Sequence, residues 1–459
     1  MSRPVQALLT RLEEIVGGAR VLTDPEALAT RQVDHLRPSA IIQPADAAQT
    51  AEVLRFAAGE KLALVPCGGG TKLGIGAPPE RYDLALDLSR MNHVLAYDPR
   101  DLTLGVEPGM RIENLLRTLS EQKQFLPLAV PFSDRATIGG IVAANSSSPL
   151  RHSYGGVRDY CLGMEFVTGE GVISKGGGRV VKNVTGYDLH KLLIGSLGTL
   201  AVITRVNFRT FPLPPAQGTF VASFSDAEPA FSFCHAVGES VLAPQIIEVA
   251  DPGTAHLLFS AETPARIEPQ QWSVIITAAG QSSVVDRHAR ELGRMASAAD
   301  AIELVPLTDK ETSSILARIR EFPRLILEAA PAAAIFRIGV LPTAMPFLLG
   351  QLSKLAAQNH LDLATLTRAS GIVFAAFLPK EENTAPSADL AKAANEVFHA
   401  CGKPEISASA MLEWCPAEVK RAVGNVWGPP RKDFALMQRV KNVFDPQNVL
   451  SPGRFAGGI

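Results

Sequence analysis

The chain has 459 residues, 46% of them apolar and 20% charged, enough for two or three domains with a sizeable core. Its 44 Lys and Arg stand against 46 Asp and Glu, so a protein whose main work is nucleic-acid binding is excluded by charge. The five cysteines, Cys67, Cys161, Cys234, Cys401 and Cys415, show no CxxC pair and no zinc or iron–sulfur spacing, which reads as free thiols in a reducing cytoplasm.

In chain order, "MSRPVQALLTRLEEIVGG" reads as an amphipathic helix, with charges at Arg11, Glu13 and Glu14 breaking any signal-peptide core. Strands are expected at "SAIIQP", "LALVP", "LALDLS", "TLGVEPG", "MEFVTGEG" and "LAVITRVNFRTF". Between them, "DAAQTAEVLRFAAGEK", opened by Asp46, and "RIENLLRTLSEQK" carry helical periodicity. This alternation predicts α/β or α+β layers up to about residue 213, where "FPLPPAQ" breaks regular structure. Residues 214–430 continue with fewer glycines and many alanines, as scaffold, and 431–459 return to a dense polar, Pro and Gly pattern. No internal repeat, low-complexity tract or run long enough to span a membrane is visible.

Four segments share one idiom: "PCGGGTKLGIG" (66–76), "VEPGM" (106–110), "ATIGGIVAANSSSP" (136–149) and "KNVTGYDLHKLLIGSLGTLAVIT" (182–204). Any one of them is what a tight turn needs. Together, at strand and helix edges, they point to backbone N–H groups gathered around an anion, for which a diphosphate is the natural ligand. Neither GxxxxGK[ST] nor a GxGxxG opening a helix occurs, so the site is not a Walker loop or a Rossmann turn.

With "YGGVRD" and the tail "FDPQNVLSPGR" added, this order of motifs resembles the FAD-binding subunits of bacterial glycolate oxidases. These lie within the vanillyl-alcohol oxidase and p-cresol methylhydroxylase flavoprotein superfamily. The resemblance runs through residues 15–213 and returns in the last twenty. It implies an α+β fold: a flavin domain of two α+β subdomains over 1–213, a second, ferredoxin-like α/β domain of the FAD-linked oxidase C-terminal type over 214–430, and a tail over 431–459 that packs back on the flavin domain. FAD would lie extended between the two subdomains.

By the same resemblance Gly68, Gly69, Gly70 and Thr71 supply donors to the pyrophosphate, flanked by Pro66 and Leu73. Pro108 and Gly109 line the cofactor, and Thr137, Ile138, Gly139, Gly140, Ala143 and Asn145 form a second wall. Gly155, Val202 and Ile203 complete the adenosine end, and Arg454, presented by Gly453 after Pro452, comes near the flavin. Lys182, Asn183, Tyr187 and Asp188 crowd before "LHKLLIGS"; Asp188 fits an N-cap, and the resemblance brings Tyr187 and Lys182 toward flavin or substrate. Relatives that tether FAD covalently use a His in or near the first loop, which here holds Cys67, Thr71 and Lys72, so non-covalent FAD is implied.

Catalytic relatives carry a segment of the form GHxGDGNxH, and none of the nine histidines here falls in such a group. No metal site is therefore expected, and the chain reads as an FAD-binding subunit that works with a catalytic flavin subunit and an iron–sulfur subunit. Oxidising a 2-hydroxy acid needs a base and a cation for the carboxylate. His152 in "PLRHSYGGVRD" is the best-placed base, and Arg337 in "AIFRIGVLP" offers a guanidinium fork on a strand. Arg158 and Asp159 pair with each other or brace a turn. Two alternatives stay open: a self-sufficient, metal-free flavin dehydrogenase, and a flavin-bearing subunit that never meets substrate.

Overall fold

The computed structural model describes residues 3–179, 186–259, 267–268, 270–429 and 432–459. They divide into two compact units: Met1–Ser146 with Gly156–Pro212 and Pro429–Ile459, and Ser147–Gly155 with Leu213–Gly428.

The first unit opens on the helix Arg3–Val16, whose Leu9, Leu12 and Val16 recur on one buried stripe. Four short strands follow: β1 (Val21–Leu22), β2 (Ala40–Ile42), β3 (Leu64–Cys67) and β4 (Leu84–Asp87), in the order β1-β2-β4-β3. β4 runs parallel to both β2 and β3. Parallel strands are covered on both faces, which is why "LALD" is an apolar run with all four residues buried rather than an alternation. The helix Ala47–Gly59 makes the crossover from β2 to β3; the Asp46 carboxylate accepts from Gln49 N at 2.8 Å and caps its start.

The second half of this unit contains β5 (Val94–Asp98), β6 (Thr103–Val106), β7 (Gln124–Phe125), β8 (Cys161–Thr168), β9 (Ile173–Gly177), β10 (Ala201–Arg209) and β11 (Phe211–Pro212). Five of them form an antiparallel sheet, β5-β6-β10-β8-β9, and β7 pairs with β11. The helix Ile112–Ser120 buries Ile112, Leu115 and Leu119 in the same core as Ile138, Ile141 and Val142 of the helix Ile138–Ala143. The final helix, Phe434–Phe444, leads into a tail that hydrogen-bonds beside β3: Leu64 N donates to Val449 O and Ser451 N to Leu64 O, both at 2.8 Å.

The second unit is one eight-stranded antiparallel sheet. Its strands are β12 (Ala216–Phe224), β13 (Ile246–Ala250), β14 (Trp272–Gly280), β15 (Glu303–Pro306), β16 (Ala334–Gly339), β17 (Leu361–Arg368), β18 (Ile372–Pro379) and β19 (Ser409–Trp414), in the order β15-β12-β14-β13-β17-β18-β16-β19. The helices Ala227–Glu239 and Ser282–Ala298 sit within the first four strands, and Met345–Gln358 and Pro386–Cys401 within the last four. Each half is thus a β-α-β-β-α-β unit of ferredoxin-like order, and the two join edge to edge through β13 and β17. The internal repeat that the sequence does not display is a repeat of topology.

Candidate functional site

In the first unit, Pro66 to Leu73 at the end of β3 and in the loop that follows it, Leu88, Pro108 after β6, Thr137, Gly139, Gly140, Ala143, Ala144, Leu197, Gly198, Ala201 to Ile203 and Arg454 line one groove. The residues singled out from sequence that it gathers are Pro66, Gly68, Gly69, Gly70, Thr71, Leu73, Pro108, Thr137, Gly139, Gly140, Ala143, Val202, Ile203 and Arg454. Cys67, Lys72, Leu88, Ala144, Leu197, Gly198 and Ala201 also line it and were missed. Leu197 and Gly198 carried a signal, since they stand in the quoted "IGSLGTLAVIT".

The glycines permit loop to meet loop. A Cβ on Gly68 would fall 2.2 Å from Thr137 Oγ1, and one on Gly69 only 1.8 Å from Arg135 O. Gly70 has φ +74°, in the left-handed region. The consequence is a row of unused donors: the N–H groups of Gly68, Gly70 and Thr71 find no acceptor among the described residues, although all three are half-buried. Partly buried N–H groups with no protein acceptor are open to a ligand, and a diphosphate supplies oxygens of the right kind. The second wall differs. Ile138 N already donates to Met110 O at 2.9 Å and Gly139 N to Pro108 O at 2.7 Å, so these residues contribute shape rather than donors.

Arg454 closes one side. It is 3% exposed, and its Nη2 donates to the carbonyls of Leu73 and Ile75. Burial pulls the guanidinium down to about 10, with Asp34 and Tyr82 opposing, so a fixed cation stands at the groove at neutral pH. Beneath the loop, Asp87 at the end of β4 is 1% exposed and accepts from Arg31 Nη2, Gln43 Nε2 and Ser89 N, each at 3.0 Å. Burial pushes the Cys67 thiol far up, so it is not a thiolate.

Four predicted residues lie outside the groove. Gly109 packs its Cα against Leu88, where a Cβ would meet the carbonyl oxygen at 2.1 Å. Ile138 is in the core with no exposed surface. Asn145 ends its helix with φ +45° beside Gly195, and Gly155, φ +74°, belongs to the second unit.

The catalytic candidates divide between the units, Tyr187 in the first and His152 and Arg337 in the second. Tyr187, in the first unit, is 90% exposed, and Lys182 and Asn183 lie outside the described residues. Asp188 makes no side-chain cap; its carboxylate pairs with Lys191 at 3.2 Å. Asp159 accepts from Gly156 N at 2.7 Å and braces a turn, whereas Arg158 donates to Lys191 O rather than to Asp159. In the second unit, Arg337 on β16 has Nε 3.8 Å from Glu413 Oε1 on β19. His152 stands in the segment Ser147–Gly155, and burial lowers its pKa, leaving the imidazole neutral at pH 7. That segment is pinned by Arg368 Nη1 on Ser147 Oγ at 2.5 Å, Ser153 Oγ on Pro244 O at 2.9 Å and Gln245 Nε2 on Tyr154 Oη at 2.9 Å. Arg368 Nε in turn reaches Glu248 Oε1 at 3.0 Å, and burial pushes Glu248 up to about 7 against that attraction.

Among the described residues no group of His, Cys, Asp and Glu could hold a metal ion, and no helix is long and apolar enough to cross a membrane. None of the five cysteines forms a disulfide, and all but Cys415 are buried.

Residues 38–177 match the model of the FAD binding domain, and 213–403 with 427–455 match that of the C-terminal domain of FAD linked oxidases. The chain belongs to the FAD-linked oxidase family and is an FAD-dependent oxidoreductase with a fold of the p-cresol methylhydroxylase type. Among curated proteins it is similar to the glycolate oxidase subunit GlcD of Bacillus subtilis, at 26% identity over 427 residues, covering 91% of this chain and 88% of that one. It is also similar to D-2-hydroxyglutarate dehydrogenase of Xanthomonas citri pv. viticola, at 28% identity, covering 96% and 95%. Among solved structures, p-cresol methylhydroxylase with substrate bound superposes with a TM-score of 0.79 at 16% identity, covering 99% of this chain and 97% of that one. 4-Ethylphenol oxidase from Gulosibacter chungangensis gives 0.78 at 17%, with the same coverage.

FAD is the cofactor. With no histidine between Pro66 and Gly76 and Cys67 held as a thiol, acid or heat is expected to release it intact. Yellow colour left on the precipitated polypeptide, or FMN in the supernatant, would contradict this.

Proposed function

We propose that the chain takes part in oxidising glycolate or a similar 2-hydroxy acid and passes the electrons to a partner protein. The observation that carries this reading is the convergence of unused loop donors and the Arg454 cation on one groove, together with relatives named for two 2-hydroxy acids. FAD, when bound, would supply the acceptor for the substrate's Cα hydride, while the hydroxyl proton goes to a base of the chain. Gly68, Gly70 and Thr71 hold the diphosphate through N–H groups, and the Pro108 and Val202–Ile203 surfaces shield the adenosine. His152, neutral at pH 7, is the proposed proton acceptor at an imidazole nitrogen, and Arg337 the proposed carboxylate partner. Tyr187 is proposed as a further group toward flavin or substrate. The five cysteines show no iron–sulfur spacing, and a catalytic flavin subunit and an iron–sulfur subunit are the proposed partners.

One observation favours a second reading, in which the flavin relays electrons without its own substrate. Both guanidiniums on this stretch of the sheet carry a carboxylate already: Arg337 has Glu413, and Arg368 has Glu248. A substrate carboxylate at Arg337 must therefore displace an existing counter-charge.

The test is anaerobic bleaching of the bound flavin by a panel of 2-hydroxy acids, with the chain purified alone. Bleaching by glycolate or a near relative, lost in Arg337→Met and His152→Gln, is the expected result. An inert flavin that still bleaches with dithionite would leave the relay reading standing in its place.

A further inference from the structure

The first unit has a second groove, of about 960 Å³, which shares Gly68–Gly70 and Thr137 with the first. Its character is different. Four arginines, Arg31, Arg111, Arg117 and Arg135, stand on it with Asn92 and Asn114, and no Asp or Glu lines it, on a chain whose net charge is −2. Arg31 is spoken for by Asp87 at 3.0 Å. The other three are exposed. Arg135 has only the exposed Asp134 at 3.7 Å, Arg117 donates to Asn114 Oδ1 at 2.8 Å, and Arg111 has no acidic partner among the described residues.

We infer that this groove docks an acidic segment of a partner protein, and that Arg111, Arg117 and Arg135 are its recognition residues. The inference rests on the electron-partner reading above. The argument for a protein segment over a small metabolite is the exposure of the three guanidiniums. An ion pair in water contributes about 0–1 kcal/mol, so one phosphate or carboxylate held here would be weakly bound. A chain segment bearing several carboxylates meets all three in parallel across a groove of this size. Such binding is salt-sensitive and fast, with long-range steering of the encounter. Those properties guide an electron-accepting partner onto this face in one orientation.

The test uses the full FAD-loaded chain and a fluorescein-labelled oligoglutamate peptide, read by anisotropy at low and high salt, roughly 20 and 300 mM. The triple variant Arg111→Glu, Arg117→Glu, Arg135→Glu is compared with Arg287→Glu, Arg290→Glu, Arg294→Glu. The latter makes the same charge change at exposed positions of the helix Ser282–Ala298. The expected result is peptide binding that high salt abolishes, weakened at least about tenfold by the groove variant and less than about twofold by the other. Three outcomes overturn the inference: equal weakening by both variants, which means charge without a site; loss of FAD from the groove variant, which assigns the groove to the cofactor; and displacement of the peptide by equimolar inorganic pyrophosphate at matched ionic strength, which means a small-anion site. Flavin bleaching by 2-hydroxy acids on the same samples reports on the proposed function separately, because the peptide assay needs no turnover.

Discussion

Deletion of residues 440–459 is expected to strip FAD from the chain and lower its melting temperature by roughly 10 °C or more. The tail is bonded to both sides of the groove. Lys441 Nζ donates to Thr199 O at 2.8 Å, Leu450 O at 3.0 Å and Asp445 Oδ2 at 2.6 Å, and Thr199 directly follows the groove residues Leu197 and Gly198. Asp445 also accepts from Val449 N at 3.0 Å and Leu450 N at 2.7 Å, fixing the turn that carries Arg454 to the carbonyls of Leu73 and Ile75. Val449 and Leu450 are essentially fully buried, each contributing about 1.5–3 kcal/mol. Losing all of this exceeds the loss from deleting residues 1–12, where the buried side chains among the described residues are Leu9 and Leu12 and no groove residue is touched. Because a deletion can fail to fold, Lys441→Met serves beside it. It leaves Asp445 buried with two N–H bonds and no cation, and should weaken FAD binding while far-UV circular dichroism stays intact. A tail-deleted protein with full flavin occupancy and an unchanged melting temperature would sink the assignment of Arg454 and the tail to the site.

The same tail shows what the sequence could and could not tell. "FDPQNVLSPGR" was legible as a docking segment because Pro, Gly and buried apolar residues alternate too densely for a frayed end. The partner of Lys441 was not, since a carbonyl some 240 residues away leaves no trace in local pattern. Strands and helices of the first unit follow from apolar runs and from caps such as Asp46, which are local physics. The glycine clusters announced a cradle, but not which of its N–H groups stay free: Ile138 and Gly139 spend theirs on Met110 and Pro108, a pairing set by how two loops fold together. Gly109 has the same cause as its neighbours, close backbone approach, yet it packs on the Leu88 carbonyl and does not itself line the groove, and the residue type carries no direction. The ferredoxin-like character of the second unit came with the family resemblance, but its duplication into two halves escaped notice because a repeated strand order needs only matching hydrophobic alternation, which unrelated sequences provide equally well. Arg368 and Glu248 were missed for a related reason: each alone looks like an ordinary strand residue, and only the register of β13 against β17 sets them opposite one another.

Gly69→Val is expected to abolish FAD binding, lowering affinity at least about a hundredfold, near 3 kcal/mol. The ideal Cβ position lies 1.8 Å from Arg135 O and 2.8 Å from its carbonyl carbon, so the obstruction is backbone and has no rotamer to escape into. Relief requires the loop after β3 to back away from residues 135–137. That motion carries Gly68, Gly70 and Thr71, whose unused N–H groups define the cradle, out of register with the second wall. Gly139→Val should act similarly through the other wall, since its Cβ would meet Pro108 Cβ at 2.7 Å and strain the Gly139 N to Pro108 O bond. Gly74→Ala is the control: it lies in the same loop with nothing within 4 Å of its Cβ position, and should leave affinity unchanged. Flavin titration of the apoproteins, with circular dichroism to show that the second unit's sheet persists, separates a blocked cradle from an unfolded chain. If Gly69→Val binds FAD as tightly as the parent, the loop does not hold the diphosphate, and the unused N–H groups of Gly68, Gly70 and Thr71 have another purpose.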